Sequence, residues 1–531
     1  MSTSAPTNNP QRLTVAMIAC DAEPFIADTL ASVKNIADEI VVVDTGSQDN
    51  TRHLAAAAGA KVVDWAWTDD FSAARNVALS HATGDWVFWI DAGEMMTVSD
   101  AARLRQFVNE IADPNNVYMM LIKLPPEPGQ VAGEQVGRFR LMPRRDDILW
   151  EGRIREDFSR SAVAAGMQVS ALDPRIHRPA RDLEAHVKQQ KAERDIPIAL
   201  MEIAVSPTLA RPYLAKGEAQ VNLGDMSSAR QSFQTARELA AAGSSEMLES
   251  YYGELTTYDD SDPQQRDQQL ELSLESLEHF PTDTQLLCAM GSYLQGQGRI
   301  DLAHRAYQTA FEHGQVRPEI WHLGDINDVA LVCLSLTLQL QNQDSEARAI
   351  LEKALADGRT GADRVRRQLI EICIKQHDRP AALAQVEGLA SVGEGVEALR
   401  SAVRGAFLAA QGNWISAKAY LETALQAGCR DTLCFRWLSK ALISMNEIAE
   451  AQQILQQWQA SEPHNPEIAI LFQSLGGQEP APGFQAPGIQ APEPAASGPN
   501  LRIDRPTAEP TTTSRPHQAP AQQPSPPTPG V

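Results

Sequence analysis

The chain has 531 residues, 43% of them hydrophobic and 21% charged, which is enough apolar material for several cores in a soluble globular protein. A formal net charge of -22 would on average repel a phosphate backbone or an anionic membrane, so no nucleic-acid partner is expected. No apolar run approaches the roughly 20 residues that cross a bilayer, the N-terminal residues lack signal-peptide regions, and the six cysteines form no CxxC pair; a cytoplasmic location, or one peripheral to a membrane, is expected.

Residues 1–11 read as a disordered leader. From Leu13 to about Leu124, β-rich runs alternate with helical stretches. LTVAMIA is followed by PFIADTLASVKNI, EIVVVD by QDNTRHLAAAAG, KVVDW by FSAARNVALSHA, and DWVFWI by VSDAARLRQFVNEI, with VYMMLIKL last. Continuous apolar strands in such alternation predict a largely parallel sheet covered on both faces, with ligands beyond the carboxyl ends of its strands. The turns Cys20 to Glu23, Asp44 to Asp49 and Asp91 to Glu94 each follow a strand and are therefore expected on one edge. The runs VGRFRLMP and ILWEGRIREDF should complete a first domain over residues 12–205.

From 206 to 475 the pattern is helical and repeats. Gly217, Gly224, Ala229, Phe233 and Ala236 set a frame whose offsets recur at Gly291, Gly298, Ala303, Tyr307 and Ala310, and at Gly405, Gly412, Ala417, Leu421 and Ala424. Weaker copies start at Asn342 and Asn446, and divergent units near 245–280 and 365–395 fill the gaps. Small residues admit close helix pairs, an aromatic or Leu fills the seam, and Gly or Asn turns the chain: the pattern of a tetratricopeptide (TPR) solenoid. The Pro-, Ala- and Gln-rich residues 476–531 are expected to be a disordered tail.

Residues 39–51, EIVVVDTGSQDNT, and 67–94, WTDDFSAARNVALSHATGDWVFWIDAGE, resemble the family-2 glycosyltransferases of GT-A fold, a similarity that covers most of residues 12–200. The resemblance implies a nucleotide-sugar donor, UDP-linked, at the strand edge. Glu23 and Asp44 match positions that contact base and ribose, although Asp44 would equally cap its DTGS turn. Arg75 and Asn76 in DDFSAARN match a segment that faces the donor; Arg75 would neutralise a phosphate or instead pair with Asp69 or Asp70.

DAGE stands where the family has its DxD motif, whose carboxylates hold Mg²⁺ or Mn²⁺ against the diphosphate. Gly93 replaces the second Asp, so Asp91 would bind the metal with help from Glu94, and His177 matches a His of the metal or diphosphate shell. In GRIRED, Arg155 replaces a family His while Glu156 is kept. Glu156 is the expected catalytic base, with Asp157 as runner-up, Asp91 as the third catalytic position and Arg155 as a phosphate ligand, against the plainer reading of a surface salt bridge.

The function these residues imply is an inverting transfer of sugar from donor to a protein, peptide or glycan acceptor, with the TPR array recruiting acceptor or partner protein. The competing reading is a degenerate transferase-like TPR scaffold, to which the departures at Gly93, Arg155 and Pro179 belong. Two expectations separate site from support. Asp91→Asn should abolish turnover with the melting temperature nearly unchanged, and deleting 206–475 should spare donor hydrolysis while removing transfer.

Overall fold

The alternation of the first half folds as one mixed sheet. Its strands are β1 (Leu13–Ala19), β2 (Glu39–Asp44), β3 (Lys61–Asp64), β4 (Trp86–Trp89), β5 (Asn116–Lys123), β6 (Glu134–Pro143), β7 (Gln168–His177) and β8 (His322–Leu323). In the computed structural model, residues 11–475 are described, apart from 111, 127–131, 181–183, 260–261, 390–394 and 463–464. The expected disordered tail over 476–531, and the leader up to residue 10, lie outside the described residues.

The strand order is β3-β2-β1-β4-β6-β5-β7, with β8 paired to β6. β1 to β4 are parallel, and β5 runs parallel to β7. The sheet is mixed, with four parallel pairs among the described strands, because β6 runs antiparallel to β4, β5 and β8. Helices α1 (Ile26–Val33), α2 (Thr51–Ala57) and α4 (Val98–Glu110) belong to one side; α3 (Phe71–His81) and α5 (Ser159–Ala164) belong to the other. Alternation along β1 sends Val15 and Met17 into the core with Ile26, Leu30 and Leu104, and Ala16 into the opposite core with Ala78, Trp89 and Phe158.

α6 (Ala185–Val205) leads into the helical half. There the helices pair as α7 (Ala210–Asn222) with α8 (Met226–Leu239), α9 (Ser245–Leu255) with α10 (Pro263–His279), and α11 (Thr284–Gly296) with α12 (Ile300–His313). The array goes on with α13 (Ile326–Leu340) and α14 (Asp344–Ala356), α15 (Asp363–Lys375) and α16 (Arg379–Glu387), α17 (Val396–Ala410) and α18 (Trp414–Gln426), α19 (Thr432–Ser444) and α20 (Ile448–Ser461), and ends at α21 (Pro466–Ser474).

The repeat frame has a direct physical cause. A Cβ at Gly217 would lie 2.7 Å from the Phe233 ring, one at Gly291 2.6 Å from Tyr307, and one at Gly405 2.6 Å from Leu421. No side chain fits where the large partner crosses. Gly224, Gly298 and Gly412 turn the chain at φ of +80, +73 and +79°, and Asn342 and Asn446 do so at +61°.

The two halves are joined more closely than the sequence implies. No break in packing falls at 205: Ile198 and Ala199 of α6 form one apolar cluster with Ile154 and with Ala215 of α7. Between α12 and α13 the chain leaves the array and crosses to the sheet. β8 pairs antiparallel with β6, Gln135 opposite His322, and the Gly137 amide donates to the Pro318 carbonyl at 2.5 Å. Gln135 already pairs with Lys123 of β5 on its other side, so β8 lies on the flank of β6 that β4 occupies further along. A segment of the repeat array thus fills the sheet just beyond the end of β4, and Trp321 packs on the sheet-domain core.

Candidate active site

The strand order brings the three acidic turns together. The first two are laced by local bonds: Asp21 Oδ1 accepts from the Gln48 amide at 2.7 Å, the Asp21 amide donates to Ser47 Oγ at 2.9 Å, and the Ala22 amide donates to Thr51 Oγ1 at 2.7 Å. The third turn docks on the helix after the first, because the Gly93 amide donates to Thr29 Oγ1 at 2.9 Å. Gly93 has φ +101°, a conformation in which the family's Asp would be strained.

Several expected ligands are already occupied. Asp44 is 1% exposed and caps its own turn, accepting from the amides of Gly46 (3.1 Å) and Ser47 (3.0 Å) and from the Ser47 hydroxyl. This is the turn cap that its DTGS sequence equally implied. Glu23 is exposed, with its carboxylate bound to the amide and side chain of Asn50 at 3.0 and 2.8 Å; these bonds lower its pKa. Glu23 stays at the rim, half engaged. Both ends of the Asn76 side chain are engaged within the domain: its amide donates to the Trp150 carbonyl and accepts from the Trp150 amide, both at 2.9 Å, pinning the 150–157 segment to α3.

Arg75 is the hub. Its Nε donates to Glu156 Oε1 at 2.7 Å and its Nη2 to Asp91 Oδ1 at 3.0 Å, while the guanidinium lies 4.6 Å from the Trp150 ring centroid. The expected pairing of Arg75 with Asp69 or Asp70 does not occur; Asp70 caps α3 instead. One buried cation therefore joins the end of β4 to the segment that carries the expected base. Glu156 Oε2 accepts no bond from any described residue. Asp157 does not share that freedom, since it accepts from the Ser159 amide at 2.6 Å and the Ser159 hydroxyl at 2.9 Å, ahead of α5. The runner-up base is a turn cap.

A second arginine, Arg140 on β6, donates through Nη2 to Asp91 Oδ2 at 2.9 Å and to Glu94 Oε1 at 2.8 Å. Arg178 adds an Nε bond to Glu94 Oε1 at 3.2 Å. Burial by itself would raise the Asp91 pKa, but the charges of Arg140 and Arg75 hold it well below the usual carboxylate range. Glu94 is 2% exposed, and its Oε2 accepts from the Asp91 amide at 3.0 Å. Glu94 closes the turn and neutralises arginines; it is not presented as a metal ligand. His177 is directed away too. Successive strand residues point to opposite faces, so with Arg178 on Glu94, His177 turns to Asp100, 3.8 Å away.

The expected cation set of Asp91, Glu94 and His177 thus reduces to Asp91, and among the described residues no group of three or more His, Cys, Asp or Glu gathers as a metal cage. Asp91 is the carboxylate of the three that could still take a cation, being ionised and 29% exposed in its side chain at the strand end, and Mg²⁺ commonly uses one or two carboxylates beside substrate phosphates; it would share Asp91 with Arg75 and Arg140, which already bond Oδ1 at 3.0 Å and Oδ2 at 2.9 Å.

Arg155 is drawn out of the expected phosphate role by the repeats. Its backbone has φ +52°, Nη1 donates to Glu249 of α9 at 2.7 Å, and Nη2 to Glu218 of α7 at 2.6 Å. The residues not anticipated are Arg138, Arg140 and Arg178. The alternation RFR inside a run that has to be buried was the available signal, because arginines placed there need partners. A cavity of about 420 Å³ bordered by Thr83, Asp85 and Arg144 lies at the start of β4, the end remote from these groups.

The fold is a mixed α/β sheet domain followed by a TPR-like helical array. The model of glycosyl transferase family 2 matches residues 14–140, and that of the tetratricopeptide repeat matches residues 408–474. A TPR repeat-containing protein of Synechococcus elongatus is 35% identical over 157 residues, 30% of this chain and 38% of that protein. An uncharacterized glycosyltransferase of Rickettsia typhi is 38% identical over 87 residues, 16% of this chain and 30% of that protein. The similarity spans well under half the length of each relative. A tetratricopeptide repeat protein from Parabacteroides merdae aligns in structure at 15% identity over 50% of this chain and 99% of its own, with a TM-score of 0.37. The chain therefore carries a family-2 glycosyltransferase domain and tetratricopeptide repeats.

Proposed function

We propose that this chain is an inverting glycosyltransferase that moves a sugar from a UDP-linked donor to a hydroxyl of a protein, peptide or glycan acceptor. The observation that carries the reading is the Asp91–Arg75–Glu156 linkage, with 3.0 and 2.7 Å contacts at the ends of strands whose turns are laced together. The nucleoside lies over the turns after β1 and β2, near Glu23. The diphosphate lies at the end of β4, where Asp91 would hold a Mg²⁺ or Mn²⁺ ion that supplies positive charge to the departing nucleoside diphosphate.

Glu156 takes the acceptor proton on Oε2 while Arg75 fixes the carboxylate through Oε1; a positioned base of this kind contributes about 10²–10⁴-fold. Arg75 and Arg140 keep Asp91 ionised and aligned. The first repeats stand on the acceptor side, where Glu218 and Glu249 hold the residue next to the base. The rest of the array offers its surface to the acceptor or to a protein partner.

The test is calorimetric titration of UDP-sugars with and without Mn²⁺, followed by assay of UDP release. The wild type should bind and slowly hydrolyse at least one donor, and Glu156→Gln should bind it with turnover reduced at least a hundredfold. A folded protein that neither binds nor hydrolyses any donor would favour the scaffold.

A further inference from the structure

Five arginines surround the carboxylates of this site, and four have acidic partners: Arg75 with Asp91 and Glu156, Arg140 with Asp91 and Glu94, Arg178 with Glu94, and Arg155 with Glu218 and Glu249. Arg138 forms no ion pair with any described residue. Its Nη1 donates to two backbone carbonyls, Glu319 at 2.7 Å and Gly137 at 3.2 Å. Burial, and then the nearby charges of Arg155 and Arg178, push its pKa down to about 10 in spite of Glu249 and Glu218. A half-buried cation that no carboxylate bonds directly, with Arg155 and Arg178 near it as well as Glu249 and Glu218, has hydrogen-bonding capacity left for an anion.

Arg178 stands beside it with part of its hydrogen-bonding capacity unused. Its Nε is spent on Glu94 and its guanidinium lies 5.8 Å from the Trp321 ring centroid, but neither Nη group donates to a described residue. Both side chains are held by the crossing segment of the repeat array, Arg138 by the Glu319 carbonyl and Arg178 by Trp321. Rigidly held guanidinium forks match the paired oxygens of phosphate or carboxylate. The strand order gives the side: β6 and β7 lie across β4 from β1 and β2, away from the turns assigned to the nucleoside.

We propose that Arg138 and Arg178 form an oxyanion subsite on the acceptor side, so that the acceptor is a glycan or sugar bearing a phosphate or carboxylate near the attacked hydroxyl. The assignment of this subsite to the acceptor rests on the glycosyltransferase reading above. The walls belong to both halves of the chain, since β6 supplies Arg138 and the segment before α13 supplies Glu319 and Trp321.

The test is calorimetric titration of inorganic phosphate into the full chain, with and without saturating UDP, in the wild type, Arg138→Gln and Arg178→Gln; thermal melts confirm that each variant is folded. The wild type should bind one phosphate whether or not UDP is present, and each variant should bind it at least tenfold more weakly. Glucose 6-phosphate, glucuronate and glucose are then compared: tighter binding of the first identifies a phosphorylated acceptor, tighter binding of the second a sugar acid. Equal binding of all three overturns the proposal, as does phosphate binding that persists in both variants. Mutual exclusion of phosphate and UDP would also overturn it, by assigning the arginines to the donor. If UDP fails to bind while phosphate binds and is lost in the variants, the proposed function falls and the anion site stands.

Discussion

Replacing Arg75 with Met tests whether the hub holds the site together. Arg75 is 7% exposed in its side chain and its partners Asp91 and Glu156 are 29% and 12% exposed. At an effective dielectric constant of about 20, each contact near 3 Å carries about 5 kcal/mol of gross attraction, which desolvation largely offsets. Arg75→Met leaves Glu156 with no cationic partner among the described residues and Asp91 with Arg140 alone, so a net loss of about 3–5 kcal/mol is expected. Glu156→Gln should cost less, about 1–3 kcal/mol, because Arg75 retains Asp91. The double variant should then fall short of additivity by about 1–3 kcal/mol. Guanidinium chloride unfolding followed by tryptophan fluorescence measures all three, helped by the contact of Arg75 with Trp150. Additive costs would show that the pair does not interact and would remove the link between strand end and base.

Asp91→Asn should abolish turnover and also lower the melting temperature by several degrees. The near-unchanged stability expected from sequence is corrected by the two buried arginines that Asp91 serves. The folded pKa of Asp91 lies below its unfolded value of about 3.9, so its contribution is fully present above that pH and is lost as pH falls through the folded pKa. Acid titration of stability should accordingly be shallower below about pH 4 in Asp91→Asn than in the wild type; identical slopes would refute the role. Deleting 206–475 removes β8, Trp321 and the carboxylates of Arg155, so the remaining sheet domain should fail to melt cooperatively and should be degraded in limited proteolysis. A stable fragment with donor hydrolysis would restore the detachable arm expected from sequence.

The sequence by itself determined the first six strands, the turns after β1, β2 and β4, and the repeat frame, whereas β7 and β8 fell in no predicted run. Each rests on local chemistry: apolar runs such as EIVVVD make buried strands, and glycines at 217, 291 and 405 are demanded by Phe233, Tyr307 and Leu421 only 16 residues on in each case. It also placed Asp91 and Glu156 as partners in one site. What it did not determine is which carboxylate oxygens remain unspent. Asp44 and Asp157 are consumed by neighbouring amides, and Glu94 by arginines 46 and 84 residues away.

Tertiary structure alone decided the join between the halves. The contact of Gln135 with His322 spans 187 residues, and no periodicity in either segment encodes it. Buried charges must find partners wherever the fold brings them, so Arg75, Arg140 and Arg155 take theirs from three separate regions of the chain. Pattern reveals which faces will be buried. Electrostatic neutrality inside those faces is settled only when distant strands and helices meet.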